Sequence, residues 1–274
     1  MFKINEIIKA TKGILIQGSL QGSFAGISTD SRGLKAKEAF LALRGENFDG
    51  HDFVARAIKL KASCLIVEKD PQVFIPAAVA VIKVKDTTVA LGDIARFQRQ
   101  KINLPVIAVT GSNGKTTTKE MIAWVLSAQG LVLKNEGTKN NQVGLPQTLI
   151  QLTKRDNFAV VEIGTNHFGE VDYLAKIASP NIGIITNIGP SHLEFLENLK
   201  GVAKEKTALL DNLAKPAIAL LNADDRSLKG LIQRKIKGRH IFSYGINEKS
   251  DFCASGIKLK NGKVQFKVNS KFNF

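Results

Sequence analysis

The stretch Pro105-Val-Ile-Ala-Val-Thr-Gly-Ser-Asn-Gly-Lys-Thr-Thr-Thr-Lys119 sets a glycine loop with one lysine and adjacent hydroxyls between an apolar strand and an amphipathic helix. Gly111 and Gly114 lack the side chains that would hold backbone N–H groups away from a phosphate, and the helix behind them turns its partial positive end into the same place. Lys115 adds a full charge, and the Thr116 hydroxyl can complete the coordination of Mg²⁺. Gly111, Ser112, Asn113, Gly114, Lys115, Thr116 and Thr117 are therefore the candidate residues for a nucleoside triphosphate. The loop is shorter than the common G-x-x-x-x-G-K-[ST] form, whose first glycine would fall on Val109.

Outward from this loop the pattern becomes regular. Strand-like runs at 106–110, 158–163, 182–188, 217–222 and 240–244 alternate with helical patterns at 115–129, 170–178, 201–213 and 225–235. Such alternation predicts an α/β fold with a mostly parallel sheet, right-handed crossovers, and a ligand at the carboxyl ends of the strands. The segment 258–274, with Asn261-Gly262 between alternating residues, reads as a hairpin. Before the loop, apolar runs at 39–43, 63–67 and 79–84 and helical patterns at 52–60 and 88–100 predict a small α/β domain. The polar stretch 100–105 is the candidate linker, giving domains at 1–102 and 103–274.

Composition narrows the class. The 274 residues, 44% of them hydrophobic, suffice for two domains with real cores. No apolar run approaches the roughly 18 residues of a membrane span, and the start, with apolar and charged residues at helical spacing, is unlike a signal sequence; the expected location is the cytosol. Cys64 and Cys253, without C-x-x-C spacing, read as buried free thiols. The formal charge of +15 comes from lysines and arginines that are scattered rather than clustered with aromatics, a pattern that suits anionic small substrates or lineage-wide basicity better than nucleic acid.

Two further strand ends carry polar groups toward the loop: Glu162-Ile-Gly-Thr-Asn-His-Phe-Gly-Glu170 and Thr186-Asn-Ile-Gly-Pro-Ser-His-Leu-Glu194. A carboxylate such as Glu162 at the end of a buried strand is costly to desolvate without a cation, which makes Mg²⁺ a natural partner; a salt-bridged glutamate is the alternative. His192 alone reads as a cap or core residue more readily than as a ligand, and His167 reads as structural. Together with Thr110-Gly-Ser-Asn-Gly-Lys-Thr-Thr117, Asn140-Asn-Gln-Val-Gly-Leu-Pro146, Ala203-Lys-Glu-Lys206 and Leu221-Asn-Ala-Asp-Asp225, these runs resemble the ordered motifs of the Mur ligases, the runs at 164–170 and 189–194 being most similar to the MurF type. In the amino-terminal part, Ile27-Ser-Thr-Asp-Ser-Arg32 and Phe40-Leu-Ala-Leu-Arg-Gly-Glu-Asn-Phe-Asp-Gly-His-Asp-Phe53 are similar to the portion of those ligases that holds the UDP-sugar.

The resemblance implies an ATP-dependent ligase of peptidoglycan-precursor synthesis. Its substrates would be UDP-N-acetylmuramoyl tripeptide and D-alanyl-D-alanine, with the carboxylate activated as an acyl phosphate. Carried over by motif, Lys115 and the loop amides hold phosphate, Thr116 and Glu162 bind one Mg²⁺, His192 binds a second, and Asn141 orients phosphate or metal-bound water. Lys206, or its rival Lys204, is implied to be carbamylated, so that Lys115, His192 and Lys206 form the implied catalytic set. The implied UDP-binding residues are Ser28, Thr29, Asp30, Ser31, Arg32, Arg44, Gly45, Asp49, Gly50 and His51. Asn222-Ala-Asp-Asp225 fits the family yet is explained equally by a capped turn. The family continues into a third, carboxy-terminal domain that closes over the nucleotide. The chain is thus expected to correspond to the first two domains and to be a poor catalyst by itself. A folylpolyglutamate-synthetase-like ligase and a non-catalytic nucleotide- or UDP-precursor-binding protein are the competing readings.

Overall fold

The computed structural model describes residues 1–45, 48–234 and 238–272. The chain divides into two compact units, 1–101 with Leu149–Gln151, and 102–148 with 152–274.

In the first unit the elements are β1 (Phe2–Lys3), α1 (Ile4–Thr11), β2 (Ile14–Gln17), β3 (Ser23–Phe24), β4 (Ile27–Ser28), β5 (Ala39–Leu41), a short 3₁₀ turn (Gly50–Phe53), α2 (Val54–Lys59), β6 (Cys64–Val67), β7 (Ala80–Lys83) and α3 (Thr87–Lys101). Five strands form a sheet in the order β2-β7-β6-β5-β4, parallel except for β2 against β7, and β1 pairs antiparallel with β3. The strands β5 and β6 are buried at every position, as strands covered on both faces must be. One face packs Phe40, Leu65, Val67 and Val81 against Val54 and Ala57 of α2.

The second unit begins at β8 (Val106–Thr110) and continues through α4 (Lys115–Ser127), β9 (Val132–Lys134), α5 (Gly144–Leu149), β10 (Phe158–Glu162), α6 (Glu170–Ala178), β11 (Ile182–Ile185), α7 (Leu193–Leu196), α8 (Leu199–Asp211), β12 (Ile218–Asn222), α9 (Lys229–Ile232), β13 (His240–Gly245), β14 (Phe252–Lys260) and β15 (Lys263–Ser270). The sheet order is β15-β14-β13-β12-β11-β8-β10-β9, with only β14 and β15 antiparallel. All five residues of β8 are buried, and its neighbours β10 and β11 diverge to opposite sides of it. This is the switch point at which an open parallel sheet leaves a crevice at its carboxyl edge.

Several expected elements change extent. The strand expected to reach 188 ends at Ile185, because from Thr186 onward the backbone turns to bond the glycine loop. The helix expected over 225–235 is reduced to α9, and residues 235–237 lie outside the described residues, as do Glu46, Asn47 and the last two residues of the hairpin segment. The short strands β2 and β9 and the helix α5 were not anticipated, being too brief to show a period. The hairpin forms around Asn261 and Gly262, both at positive φ, and begins earlier than expected, at Phe252. Its residues Ile257, Leu259, Val264, Phe266 and Val268 are exposed. Cys64 is buried, and burial pushes its thiol up to about 12; Cys253, expected to be buried, is only half-buried on β14. Both are free thiols. Among the described residues, no helix is long and apolar enough to cross a membrane.

Phe40 is 1% exposed at the centre of the first unit's core. Phe40→Ala is expected to lower the unfolding free energy by about 3–5 kcal/mol, read as a fall in the denaturant midpoint of the transition that reports this unit.

Candidate functional site

At the carboxyl end of β8 the chain enters a glycine-only conformation, with Gly111 at φ +147°. A Cβ there would stand 1.9 Å from Thr186 Oγ1, so the loop lies directly on the segment that follows β11. That contact is bonded along its length. Ser112 N donates to Asn187 O (3.0 Å), Asn113 N to Asn187 Oδ1 (3.0 Å), Thr186 Oγ1 to Asn113 O (2.6 Å), and Ser112 Oγ to Gly189 O (2.8 Å). Gly114, at φ +77°, then turns the chain into α4. The Lys115 ammonium donates to Gly111 O (2.8 Å) and Ser112 O (3.2 Å), which keeps its charge on the loop.

Thr116, in the first turn of α4, donates its hydroxyl to Glu162 Oε2 at 2.7 Å. Glu162 ends β10 and is 1% exposed, and its other oxygen accepts from Asn140 Nδ2 at 2.7 Å. Both partners are neutral, and among the described residues no salt bridge reaches this carboxylate. Gly164 allows the approach, since a Cβ there would lie 2.5 Å from Asn140 Oδ1. Asn141, the residue the motif pointed to, instead uses its side-chain oxygen to accept from Val143 N and Gly144 N at the start of α5. Asn140 was missed by the sequence reading, because nothing in an Asn-Asn pair says which amide turns inward.

On the far side of the loop, His192 sits in the left-handed region at φ 51° and opens α7. Partial burial, then the charges of Lys206 and Lys115, hold its imidazolium below the usual histidine range, which leaves the ring neutral at neutral pH. Lys206, on α8, is 2% exposed, and burial, with the charge of Lys115, lowers its ammonium to about 8. Its neighbour Glu205 is also buried, its charge opposes that lowering, and it accepts from Gly169 N (2.7 Å), Val171 N (2.7 Å) and Thr165 Oγ1 (3.2 Å) at the start of α6. Lys204 is exposed, with its ammonium 5.8 Å from the Phe168 ring centre. His167 is exposed, its ring tilted by 50° against Phe195 at 4.3 Å between centres, with Nδ1 3.4 Å from Glu170. Of the two aspartates at 224 and 225, Asp225 accepts from Ile188 N (2.5 Å) and Ser227 N (2.8 Å), and Asp224 from the amides of Ile246, Asn247 and Glu248. They tie strand ends together.

Within the first unit, the residues singled out at 28–32, 44–45 and 49–51 lie in turns. Ser28 Oγ and Asp30 close a tight turn, and the Arg32 guanidinium grips the Asp30 carboxylate at 2.8–3.2 Å, holding it down to about 2. Arg32 is exposed and Ser31 is buried. Gly50 is required by space, since a Cβ would come within 2.6 Å of Leu43 O, and Arg44 bridges Asp49 through backbone pairing. His51 has both ring nitrogens committed: Nε2 accepts from Glu68 N (2.9 Å), so Nδ1 carries the proton and donates to Asp49 Oδ1 (2.5 Å). Lys69 donates to Asp49 Oδ2, and with His51 holds that carboxyl far below the usual range. Thr29 and Gly45 lie in the same turns.

The second unit thus brings a phosphate-type loop, a buried carboxylate with a hydroxyl beside it, a neutral histidine and a buried lysine to one edge of a parallel sheet. Residues 109–273 match the family described as Mur ligase middle domain, and residues 23–99 that described as Mur ligase family, catalytic domain. The UDP-N-acetylmuramoyl-tripeptide–D-alanyl-D-alanine ligase of Escherichia coli K12 is 35% identical over 260 residues, which are 93% of this chain and 56% of that protein. MurF from Acinetobacter baumannii superposes with a TM-score of 0.89 at 35% identity, over 98% of this chain and 58% of that one. MurF from Thermotoga maritima in complex with ADP superposes with a TM-score of 0.80 at 27% identity, over 89% and 56%. The chain spans about half the length of the curated relatives it matches. With more than half of its residues inside the middle-domain match alone, the chain belongs to the Mur ligase family.

Proposed function

We propose that the chain carries the UDP-precursor-binding domain (1–102) and the ATP-binding domain (103–274) of a UDP-N-acetylmuramoyl-tripeptide–D-alanyl-D-alanine ligase. The observation that carries this reading is the Thr116 hydroxyl set 2.7 Å from the buried Glu162 carboxylate, one residue after the loop lysine. The name and the ADP complex of the similar proteins support it.

In the proposed reaction the terminal phosphoryl group of ATP passes to the carboxylate of the UDP-linked tripeptide. The amine of D-alanyl-D-alanine then attacks the acyl phosphate, forming the amide and releasing phosphate. Lys115 and the amides of 111–116 hold the phosphates and stabilise charge as it shifts between oxygens. The donor set suits Mg²⁺: two hard oxygens, one an anion without a counter-charge, fit an ion that takes one or two protein ligands and leaves its remaining positions to phosphate and water. The absence of any group of three or more His, Cys, Asp or Glu among the described residues is compatible with such sparse ligation. Bound there, Mg²⁺ neutralises the charge that accumulates on the transferred phosphoryl group.

Neutral His192 offers a ring lone pair to a second ion. Lys206 is the better of the two lysines for carbamylation, because burial raises its share of free amine while Lys204 stays hydrated. Its lone pair would add to CO₂, forming an N–C bond and releasing the N–H proton, so that a buried cation becomes an anion. In the first unit, the exposed Arg32 and the backbone of residues 28–32, 44–45 and 49–50 hold the uridine diphosphate. His51 acts there by fixing Asp49 and the turn at Gly50.

Two measurements test this. The first is calorimetry with ATP and MgCl₂, in which Lys115→Ala should lose at least tenfold in affinity, the loss of about one charge-assisted contact, with the circular dichroism unchanged. In a chain joined to the remainder of a relative, phosphate release that depends on both substrates should disappear in the same variant. Undiminished binding or turnover would overturn the loop assignment. The second concerns Lys206, whose ammonium releases its proton near 8 in the folded chain and higher in the unfolded one. Between those values the unfolded state binds more protons, so this group makes stability rise with pH. Lys206→Met should flatten that rise by about 2–3 kcal/mol, read as the parent-minus-variant difference in unfolding free energy from pH 7 to 10.5.

A further inference from the structure

Lys119, one turn beyond Thr116 on α4, is fully buried, a costly position for a charged side chain. Its ammonium is held by Asn135 O (2.5 Å), Gly137 O (3.5 Å) and Glu120 Oε1 (3.1 Å), and Glu120 also pairs with Lys134 of β9. Asn135 is fully buried as well, and its side chain reads Glu162 from behind. Its Oδ1 accepts from Glu162 N (2.9 Å), and its Nδ2 donates to Glu162 O (3.1 Å) and Lys139 O (2.9 Å). Residue 139 precedes Asn140, the second partner of the Glu162 carboxylate.

These bonds close a ring. It runs from Thr116 along one turn of α4 to Lys119, through the backbone of 135–137 to the Asn135 amide, and through Glu162 back to the Thr116 hydroxyl. We infer that Lys119 is a positioning residue that fixes the separation between the Thr116 hydroxyl and the Glu162 carboxylate, and so sets the affinity of the site for the divalent cation that accompanies nucleotide. It touches neither nucleotide nor cation. An ammonium serves here where an amide or hydroxyl would not, since it donates in three directions and spans two backbone carbonyls and a carboxylate. The inference rests on the metal-binding reading of Thr116 and Glu162 given above.

The test is calorimetric titration of the whole chain with ADP, once with MgCl₂ and once with EDTA. For the parent, Mg²⁺ should strengthen ADP binding. In Lys119→Met that strengthening should fall about tenfold or more, the scale seen when a group supporting a metal ligand is removed, while affinity in EDTA stays within about twofold, because Lys115 and the loop amides are unaltered. Lys119→Arg, which keeps the charge and the donors, should recover most of the loss. Combining Lys119→Met with Thr116→Val should add little to either alone, since both act on one pair of oxygens. If Lys119→Met fails to fold, Asn135→Ser carries the same titration. Equal losses with and without Mg²⁺ would make Lys119 a general brace and overturn the inference, as would an unchanged Mg²⁺ effect. A parent with normal ADP binding but no Mg²⁺ effect would overturn the metal-binding reading itself.

Discussion

A carboxylate with no salt-bridging cation among the described residues, at the end of a buried parallel strand, governs the second unit. Glu162 takes hydrogen bonds from Thr116 and Asn140, both neutral, at 2.7 Å each. Such bonds stabilise an anion only in part, and the remainder of its desolvation must be offset by whatever positive charge the site receives. Everything around it serves that geometry. The residue 164 has to be glycine for Asn140 to come close, and Asn135 has to be buried to grip the Glu162 backbone.

The opposite condition holds around Lys206, where the charge of Lys115 acts on a second lysine and on a neutral histidine. Lys115 lowers the proton affinity of both Lys206 and His192, and Lys206 lowers that of His192. A site with an unneutralised anion on one side and mutually repelling cations on the other is poised for a ligand that carries several charges of its own. The proposed ligand, a nucleoside triphosphate with divalent cations, has that character.

Much of this was legible in the residues. The loop at 111–116 announces itself by glycine spacing, and the alternation from 106 to 222 follows from apolar runs that need cover on both faces. What stayed hidden was orientation. Asn140 and Asn141 are identical in composition and neighbours in sequence, yet one turns to a carboxylate and the other caps a helix. His51 reads as a contact residue, and that it is also braced on both ring nitrogens stayed hidden because the Glu68 amide that occupies the second lies seventeen positions away. Lys119 gave no sign at all: a lysine in a helix reads as solvated until the loop that wraps it is seen.

The hairpin at the edge of the large sheet explains part of the chain's basicity without any partner. Among the described residues strand β15 pairs only with β14, which leaves a row of backbone donors and acceptors open beside the exposed Leu259, Val264 and Phe266. Such an edge invites copies of the chain to stack strand against strand. Because side chains alternate across a strand, Lys258, Lys260, Lys263 and Lys267 lie on the face opposite those apolar groups, and Lys260 stands directly across from Lys263. Two approaching copies therefore meet like charge at close range. That repulsion reaches only about 8 Å at physiological ionic strength and shortens further as salt is added. Pairing of copies along this edge is therefore expected to depend on the solution, opposed by these lysines in dilute buffer and less so in concentrated salt.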